Sequence, residues 1–322
     1  MINAAVIGLG RWGKSIVEAS RATRLRVVRG VSKEPELVAG FAAKHGFELG
    51  TSFEEAVADP RVQAVFLATP HSLHVRQITA VAAAGKPVWC EKPLALTLSE
   101  AKRAVAACRA AGVPLGLGNN KRCFASMREL KRLVADGEIG EVLHIEGHFC
   151  NEHSTRVTGG WRDDPSESPG GGLTGAGLHL IDALVHLVGP IARLDARLAS
   201  RKAPPDPRDV ATVLAEFAGG ATGTIATVRA APMYWRVHAF GTRGWAEARD
   251  ETMLTVARLG EQPRTQTLAH VDSLGVLLDA FGESVETGKP FIVTTDEMLD
   301  VVAAFEAAIE SMATREPVSV RR

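Results

Sequence analysis

The sequence lacks the features that would commit it to a membrane, a nucleic acid or an oxidising compartment. No long apolar run interrupts its 322 residues, so no bilayer-spanning helix is expected. Neither charge is in surplus. Lys+Arg and Asp+Glu stand at 37 each, and nothing points to nucleic acid or an acidic surface as partner. Cysteine is scarce: Cys90, Cys108, Cys123 and Cys150 show no C-x-x-C spacing, which predicts reduced thiols in a cytoplasmic protein. The first strand opens at residue 2 and leaves no room for a signal peptide, so the same location is expected. No repeat or low-complexity segment stands out. What is present is a globular composition, 46% hydrophobic and 23% charged, long enough for two domains with cores of their own.

The most informative stretch is the first thirteen residues. Ile2 to Ile7 reads as a short apolar strand, Gly8-Leu9-Gly10-Arg11-Trp12-Gly13 follows, and a helix is expected from about Lys14 to Ala19. G-x-G-x-x-G between a strand and a helix is a dinucleotide-binding pattern. The first glycine permits the tight turn, the second lets a pyrophosphate approach the backbone, and the third lets helix and strand pack closely. The helix N-terminus then offers free N–H groups to the phosphates. Leu25 to Val31 is a second strand, ending in Ser32-Lys33. An acidic residue at that place would bind the ribose hydroxyls of NAD. A hydroxyl and a cation suit a 2′-phosphate instead, so NADP is the preferred cofactor and NAD the alternative.

A helix over about Pro35 to His45 and another over Phe53 to Ala58 lead to the strand Ala64 to Ala68, which ends in Thr69-Pro70-His71-Ser72-Leu73-His74. Ligands of an open parallel sheet bind at the carboxyl ends of its strands, which places Thr69, Pro70, His71 and His74 at the cofactor. Pro87 to Cys90 is the next strand, followed by Glu91-Lys92-Pro93, a helix over Ser99 to Ala111 and a strand over Leu115 to Gly118. This alternation predicts a doubly wound parallel sheet. The pattern then changes. A helix over Phe124 to Asp136 and a strand over Val142 to Cys150 precede a loop-like stretch at 151–172; a helix over Leu178 to Val188 follows. Six strand-like stretches then run from Ile191 to Arg258, and helices at Leu274 to Thr287 and Thr295 to Ala313 close the chain. The expected fold is an α/β Rossmann domain over 1–120 and an α+β domain over 121–322 with a large, mostly antiparallel open sheet.

At Glu91-Lys92-Pro93 the chain resembles the glucose–fructose oxidoreductase/inositol dehydrogenase (Gfo/Idh/MocA) family of NAD(P)-dependent oxidoreductases. The resemblance spans nearly the whole chain. It rests on the glycine motif, Ala68-Thr-Pro-x-x-Leu-His74, Gly85 to Ala95, Lys121-Arg122, Asp136 to Gly140, Trp161-Arg162 and the Gly-rich run leading to His179-x-x-Asp182. The resemblance implies hydride transfer between a nicotinamide and a secondary alcohol or ketone of a sugar, cyclitol, sugar acid or cyclic diol. It implies that Lys92 lies by substrate and nicotinamide, with Glu91 beside the cofactor, and that His179 is an acid/base or substrate contact. Asn120, Arg122, Trp161, Arg162 and Asp182 would line the substrate side, and a pair of arginines would suit an acidic substrate. Lys92 and His179 come from different domains, so the turn at Gly170-Gly171-Gly172 must aim the second toward the first. Many family members carry an aspartate four residues before the histidine, where this chain has Gly175. That leaves two other readings: a non-catalytic NAD(P) sensor, or non-redox chemistry with a transiently used cofactor. His179, Asp182 and His186 share one helical face, but no metal is expected. A homodimer or homotetramer, built on the second-domain sheet, is.

Overall fold

The computed structural model describes residues 1–152, 160–202 and 206–322. Residues 153–159 of the expected loop lie outside it. The chain forms two units: Met1–Asn120 with Asp272–Met298, and Lys121–Val271 with Leu299–Arg322.

The first unit opens with β1 (Ile2–Ile7), α1 (Arg11–Ser20), β2 (Leu25–Val31), α2 (Ala39–His45), β3 (Glu48–Gly50), α3 (Phe53–Ala58) and β4 (Ala64–Leu67). It continues through α4 (His74–Ala83), β5 (Val88–Cys90), α5 (Leu98–Ala111) and β6 (Leu115–Leu117). The six strands form one parallel sheet in the order β3-β2-β1-β4-β5-β6. Central strands covered on both faces must be apolar throughout, and β4 (Ala64–Leu67) is buried at every position. Helix starts are set by local chemistry. Ser52 Oγ accepts from Glu55 N at 3.1 Å to open α3, and Thr97 Oγ1 accepts from Glu100 N at 3.4 Å to open α5.

The second unit contributes α6 (Ala125–Ala135), β7 (Val142–Cys150), α7 (Leu178–Val188), β8 (Ile191–Ala199), β9 (Val210–Phe217), β10 (Thr222–Val228), β11 (Tyr234–Gly241), β12 (Gly244–Arg249), β13 (Met253–Arg258) and β14 (Arg264–Thr267). In chain order there follow α8 (Ser273–Thr287), which belongs to the first unit, α9 (Thr295–Thr314), which begins in the first unit and continues in the second, and β15 (Val318–Ser319). Nine strands form a sheet in the order β14-β13-β12-β11-β7-β10-β9-β8-β15. All its pairings are antiparallel except β7 with β10, which run parallel. The register sorts its two faces. Val213, Ile225, Gly147, Val237, Ala248 and Leu254 stand side by side across five pairings, and all are buried. Gly147 leaves room there for Leu180 and Leu184 of α7, whose apolar side chains cover this face.

Three departures from the sequence reading have physical causes. β3, β14 and β15 are two to four residues long, too short to show a period. The helix expected from Pro35 begins as a single 3-10 turn, Pro35–Leu37, and turns α-helical only at Ala39. The second domain was expected to run unbroken to the C-terminus, but residues 272–298 rejoin the first unit. Phe281 of α8 is fully buried against Phe66 and Trp89, with ring centroids 5.6 and 5.7 Å away. It occupies the space where Gly116 has no side chain.

Candidate active site

In the first unit, sheet register alone collects the expected cofactor residues. Ile7 pairs with Val31 and with Leu67, Leu67 with Cys90, and Cys90 with Leu117. The residues that follow these strand ends, Gly8, Ser32, Ala68, Glu91 and Gly118, therefore lie in a row along the carboxyl edge. Gly8 sits at φ +90, and a Cβ there would lie 2.6 Å from the Ala68 carbonyl oxygen. A Cβ on Gly13 would collide with the Gly8 carbonyl. Gly10 is different: no atom of the protein lies within 4 Å of where its Cβ would be. Gly10 also precedes the first turn of α1, which holds no acidic residue. Open space beside free N–H groups with no opposing carboxylate fits a pyrophosphate. Leu9 is buried, whereas Arg11 is exposed with its guanidinium 5.4 Å from the half-buried Trp12 ring. Ser32 Oγ accepts from Glu34 N at 3.2 Å, and Lys33 is exposed.

The loop after β4 is pinned to the turn after β5. The His74 ring is fully buried, with Nδ1 2.7 Å from the Pro93 carbonyl and Nε2 3.0 Å from the Thr69 carbonyl. Thr69 Oγ1 donates to Gln77 Oε1 at 2.6 Å, and the buried His71 ring lies 5.7 Å from that of His74. Pro70 caps the short 3-10 turn His71–Leu73. His74 thus fixes the turn that presents Lys92, which is half-buried at the carboxyl end of β5. Glu91 is buried, and its carboxylate fills the space a Gly118 side chain would take. Asn120 Nδ2 donates to Ser273 Oγ at 2.9 Å.

In the second unit, Arg122 meets Asp182. Arg122 Nε donates to Asp182 Oδ2 at 3.1 Å, and Arg122 Nη1 lies 3.3 Å from His186 Nδ1. Both members of the ion pair are 2% exposed, and removing one partner of such a pair strands a buried charge. Two residues expected on the substrate side are thus engaged with each other, as is His186 with Arg122. His179 is 4% exposed and stacks edge-on to Phe149 at 6.1 Å. It follows a π-helical turn, Leu173–Gly177, that leads into α7. The start of that turn is built on a residue sequence reasoning missed. The buried Asp209 carboxylate accepts from Gly172 N at 3.1 Å and lies 3.4 Å from Arg229 Nη1. Burial pushes the Asp209 carboxyl up from its ordinary value. Arg162 is exposed, its guanidinium 4.2 Å from the Trp161 ring. Gly175 faces open space: its Cβ would meet nothing within 4 Å.

Sequence reasoning also gave Lys121 no role of its own. β7 and β11 pair Phe149 with Trp235, so two rings stand together on the covered face, 5.5 Å apart. Phe124 closes on Trp235 edge-on at 5.8 Å. Lys121 Nζ sits against all three, 4.5 Å from Phe149, 4.7 Å from Phe124 and 5.4 Å from Trp235.

Comparison with known proteins identifies the family and the fold. Residues 2–119 match the family model for an oxidoreductase family with an NAD-binding Rossmann fold, and residues 127–247 match that for the GFO/IDH/MocA C-terminal domain. The chain belongs to the Gfo/Idh/MocA family. It is 36% identical over 186 residues to 1,5-anhydro-D-fructose reductase of Ensifer adhaerens, a match covering 55% of this chain and 56% of that relative's length. It is 29% identical over 298 residues to levoglucosan dehydrogenase of Pseudarthrobacter phenanthrenivorans, covering 80% of this chain and 76% of that one. Among solved structures, an oxidoreductase from Desulfitobacterium hafniense superposes with a TM-score of 0.89 at 26% identity, over 99% of this chain and 97% of that one. A levoglucosan dehydrogenase in complex with NADH and levoglucosan shares the fold at a TM-score of 0.91 and 24% identity, covering all of both chains.

Proposed function

We propose that this oxidoreductase transfers a hydride between NADP, or less favourably NAD, and a secondary alcohol or its ketone on a sugar, cyclitol, sugar acid or cyclic diol. The observation that carries this reading is the carboxyl edge of the parallel sheet. The open space at Gly10, the N-terminus of α1 and the pinned Lys92 turn lie along one edge, as a dinucleotide and its reacting carbon require. Curated relatives act on substrates of this class: an anhydro-sugar ketone, levoglucosan and dihydrobenzenediols. The nicotinamide supplies or takes the hydride. The protein's part is to bind, orient and move a proton. Backbone N–H groups of α1 hold the pyrophosphate, while Ser32 and Lys33 hold the 2′-phosphate. The Lys92 ammonium donates to the reacting oxygen and His179 exchanges its proton. The test is a panel of sugars, cyclitols, sugar acids and dihydrodiols followed by NAD(P)H absorbance. Turnover with one class is expected, and Lys92→Ala lowers kcat by about 10²–10⁴ while cofactor binding persists. Wild-type turnover by Lys92→Ala overturns the mechanism.

The nine-stranded sheet supports a homo-oligomer. Leu214, Thr224, Glu146, His238 and Glu247 form one row across its second face, all half-buried or exposed, with Leu214 56% accessible. A two-fold partner on this face gives a dimer or, repeated, a tetramer. Light scattering that finds a 34.2 kDa monomer at micromolar concentration counts against it. The free cysteines, three of them buried, favour a reducing, cytoplasmic setting. Among the described residues no helix is long and apolar enough to cross a membrane.

A further inference from the structure

Lys121 stands out among the second unit's basic groups because the protein gives it rings in place of a counter-ion. Its Nζ donates no hydrogen bond to any described residue, and it lies within 4.5–5.4 Å of three ring centroids. A ring face attracts a cation but leaves all three N–H donors unused. Two carboxylates of the second unit are engaged with other partners. Asp182 is held by Arg122. Glu251, in the turn between β12 and β13, acts on Lys121 only through longer-range attraction, and its carboxylate meets His270 Nε2 at 2.9 Å. β7 and β11 present neutral rings, Phe149 and Trp235, and the group beyond Phe149 is His179.

We propose that Lys121 is the carboxylate-reading residue of the substrate site, so that among the substrates allowed by the proposed reaction this enzyme selects sugar acids. The inference rests on that reaction for the word substrate. A neutral hydroxyl would use one N–H but leave the charge uncompensated, whereas a carboxylate supplies both acceptor and counter-charge. His179, the residue proposed for proton exchange, has its ring 6.1 Å from that of Phe149. Gly175, in the π-helical turn that leads into α7, brings no carboxylate that would oppose an acid. The expected acidic substrate thus keeps its charge complement, but the reader is Lys121 where Arg122 had been expected.

The reading predicts a pH signature. Burial pulls the Lys121 ammonium down from its ordinary value to about 8, so the free site loses its charge as pH rises through that value. A bound carboxylate favours the charged form, so acid affinity is full below about pH 8 and weakens above it. The opposing influence is Glu251, which favours the charged form.

The test is calorimetric titration of the full chain, saturated with NADPH, using D-glucuronate against D-glucose and D-galacturonate against D-galactose at pH 7 and 9.5. Wild-type protein should bind each acid at least tenfold tighter than its parent sugar at pH 7, with the advantage falling at pH 9.5. Lys121→Met, which keeps an apolar chain against the rings, should lose the advantage at both pH values. Lys121→Arg should keep it and lose its pH dependence, because arginine stays charged. Equal binding of acid and parent sugar, no binding of any acid, or an unchanged preference in Lys121→Met overturns the proposal. Binding is read without turnover, so acid selection with no turnover of the same acid when either NADP⁺ or NADPH is supplied refutes the proposed reaction and leaves the Lys121 assignment standing.

Discussion

The molecule contains two glycine-rich turns that look alike as strings and differ in what occupies the space their missing side chains leave. In Gly8-Leu9-Gly10-Arg11-Trp12-Gly13, two glycines are demanded by the protein's own backbone, at Ala68 and at Gly8, while Gly10 faces emptiness. In Gly170-Gly171-Gly172 the space is filled from within. A side chain on Gly171 would run into the Asp209 carboxylate, and one on Gly172 would lie 2.7 Å from the same group. The first turn is therefore a receptacle with one open side, and the second is a mount whose anion is already supplied. A run of glycines does not by itself mark a binding loop; what a Cβ would meet decides.

Substitutions can break or sharpen that contrast. The largest effect is expected for Gly13→Ala, where the clash is with backbone that has nowhere to go. A stability loss of about 3 kcal/mol or more should appear in denaturant unfolding. Gly171→Ala should cost roughly 1–3 kcal/mol, part from the clash and part from its φ of +53. In an Asp209→Ala background the clash vanishes, so the two changes should be clearly non-additive. Additivity would show that the turn is not built on Asp209. Gly10→Ala should leave the melting temperature unchanged and weaken dinucleotide binding by about 1–2 kcal/mol, roughly five- to thirtyfold, in a fluorescence titration. A loss of stability there would mean the open side is not open. Lys33→Ala should weaken NADP by about 1.5–3 kcal/mol and NAD little; equal weakening would remove the 2′-phosphate reading. The smallest stability effect, within about 0.5 kcal/mol, is expected for Gly175→Asp, because its Cβ meets nothing. Activity on an acidic substrate should nevertheless fall, and a rise would mean Gly175 is a defect.

Much of the first turn was legible because its meaning is local: a strand, three glycines and a helix lie within twenty residues. The parallel sheet was legible for the same reason, since strands and helices alternate in order. The second unit resisted where meaning is long-range. Nothing near Gly171 announces Asp209, and nothing near Lys121 announces Phe149 and Trp235, which only the β7–β11 pairing brings together. Arg122 was expected on the substrate side from the family resemblance, where with Arg162 it would suit an acid. Its neighbour Lys121 was quoted and passed over. Only burial and partners separate the two: one cation is paired with Asp182, and the other is held by rings.

The return of residues 272–298 to the first unit has a consequence for how the chain is made. A ribosome releases β1 to β6 long before α8 exists. Until then Phe66 and Trp89 lack Phe281, and Arg24 lacks Asp279, whose carboxylate it later grips with Nε at 3.0 Å and Nη2 at 3.1 Å. The nucleotide-binding half must wait, with an apolar face uncovered, while the whole of β7 to β14 is synthesised. A fragment ending at Asn120 should accordingly aggregate or bind the hydrophobic dye ANS during expression. The same fragment with residues 272–298 joined by a flexible linker should be monodisperse. The first-made half therefore cannot be completed until most of the second has been synthesised.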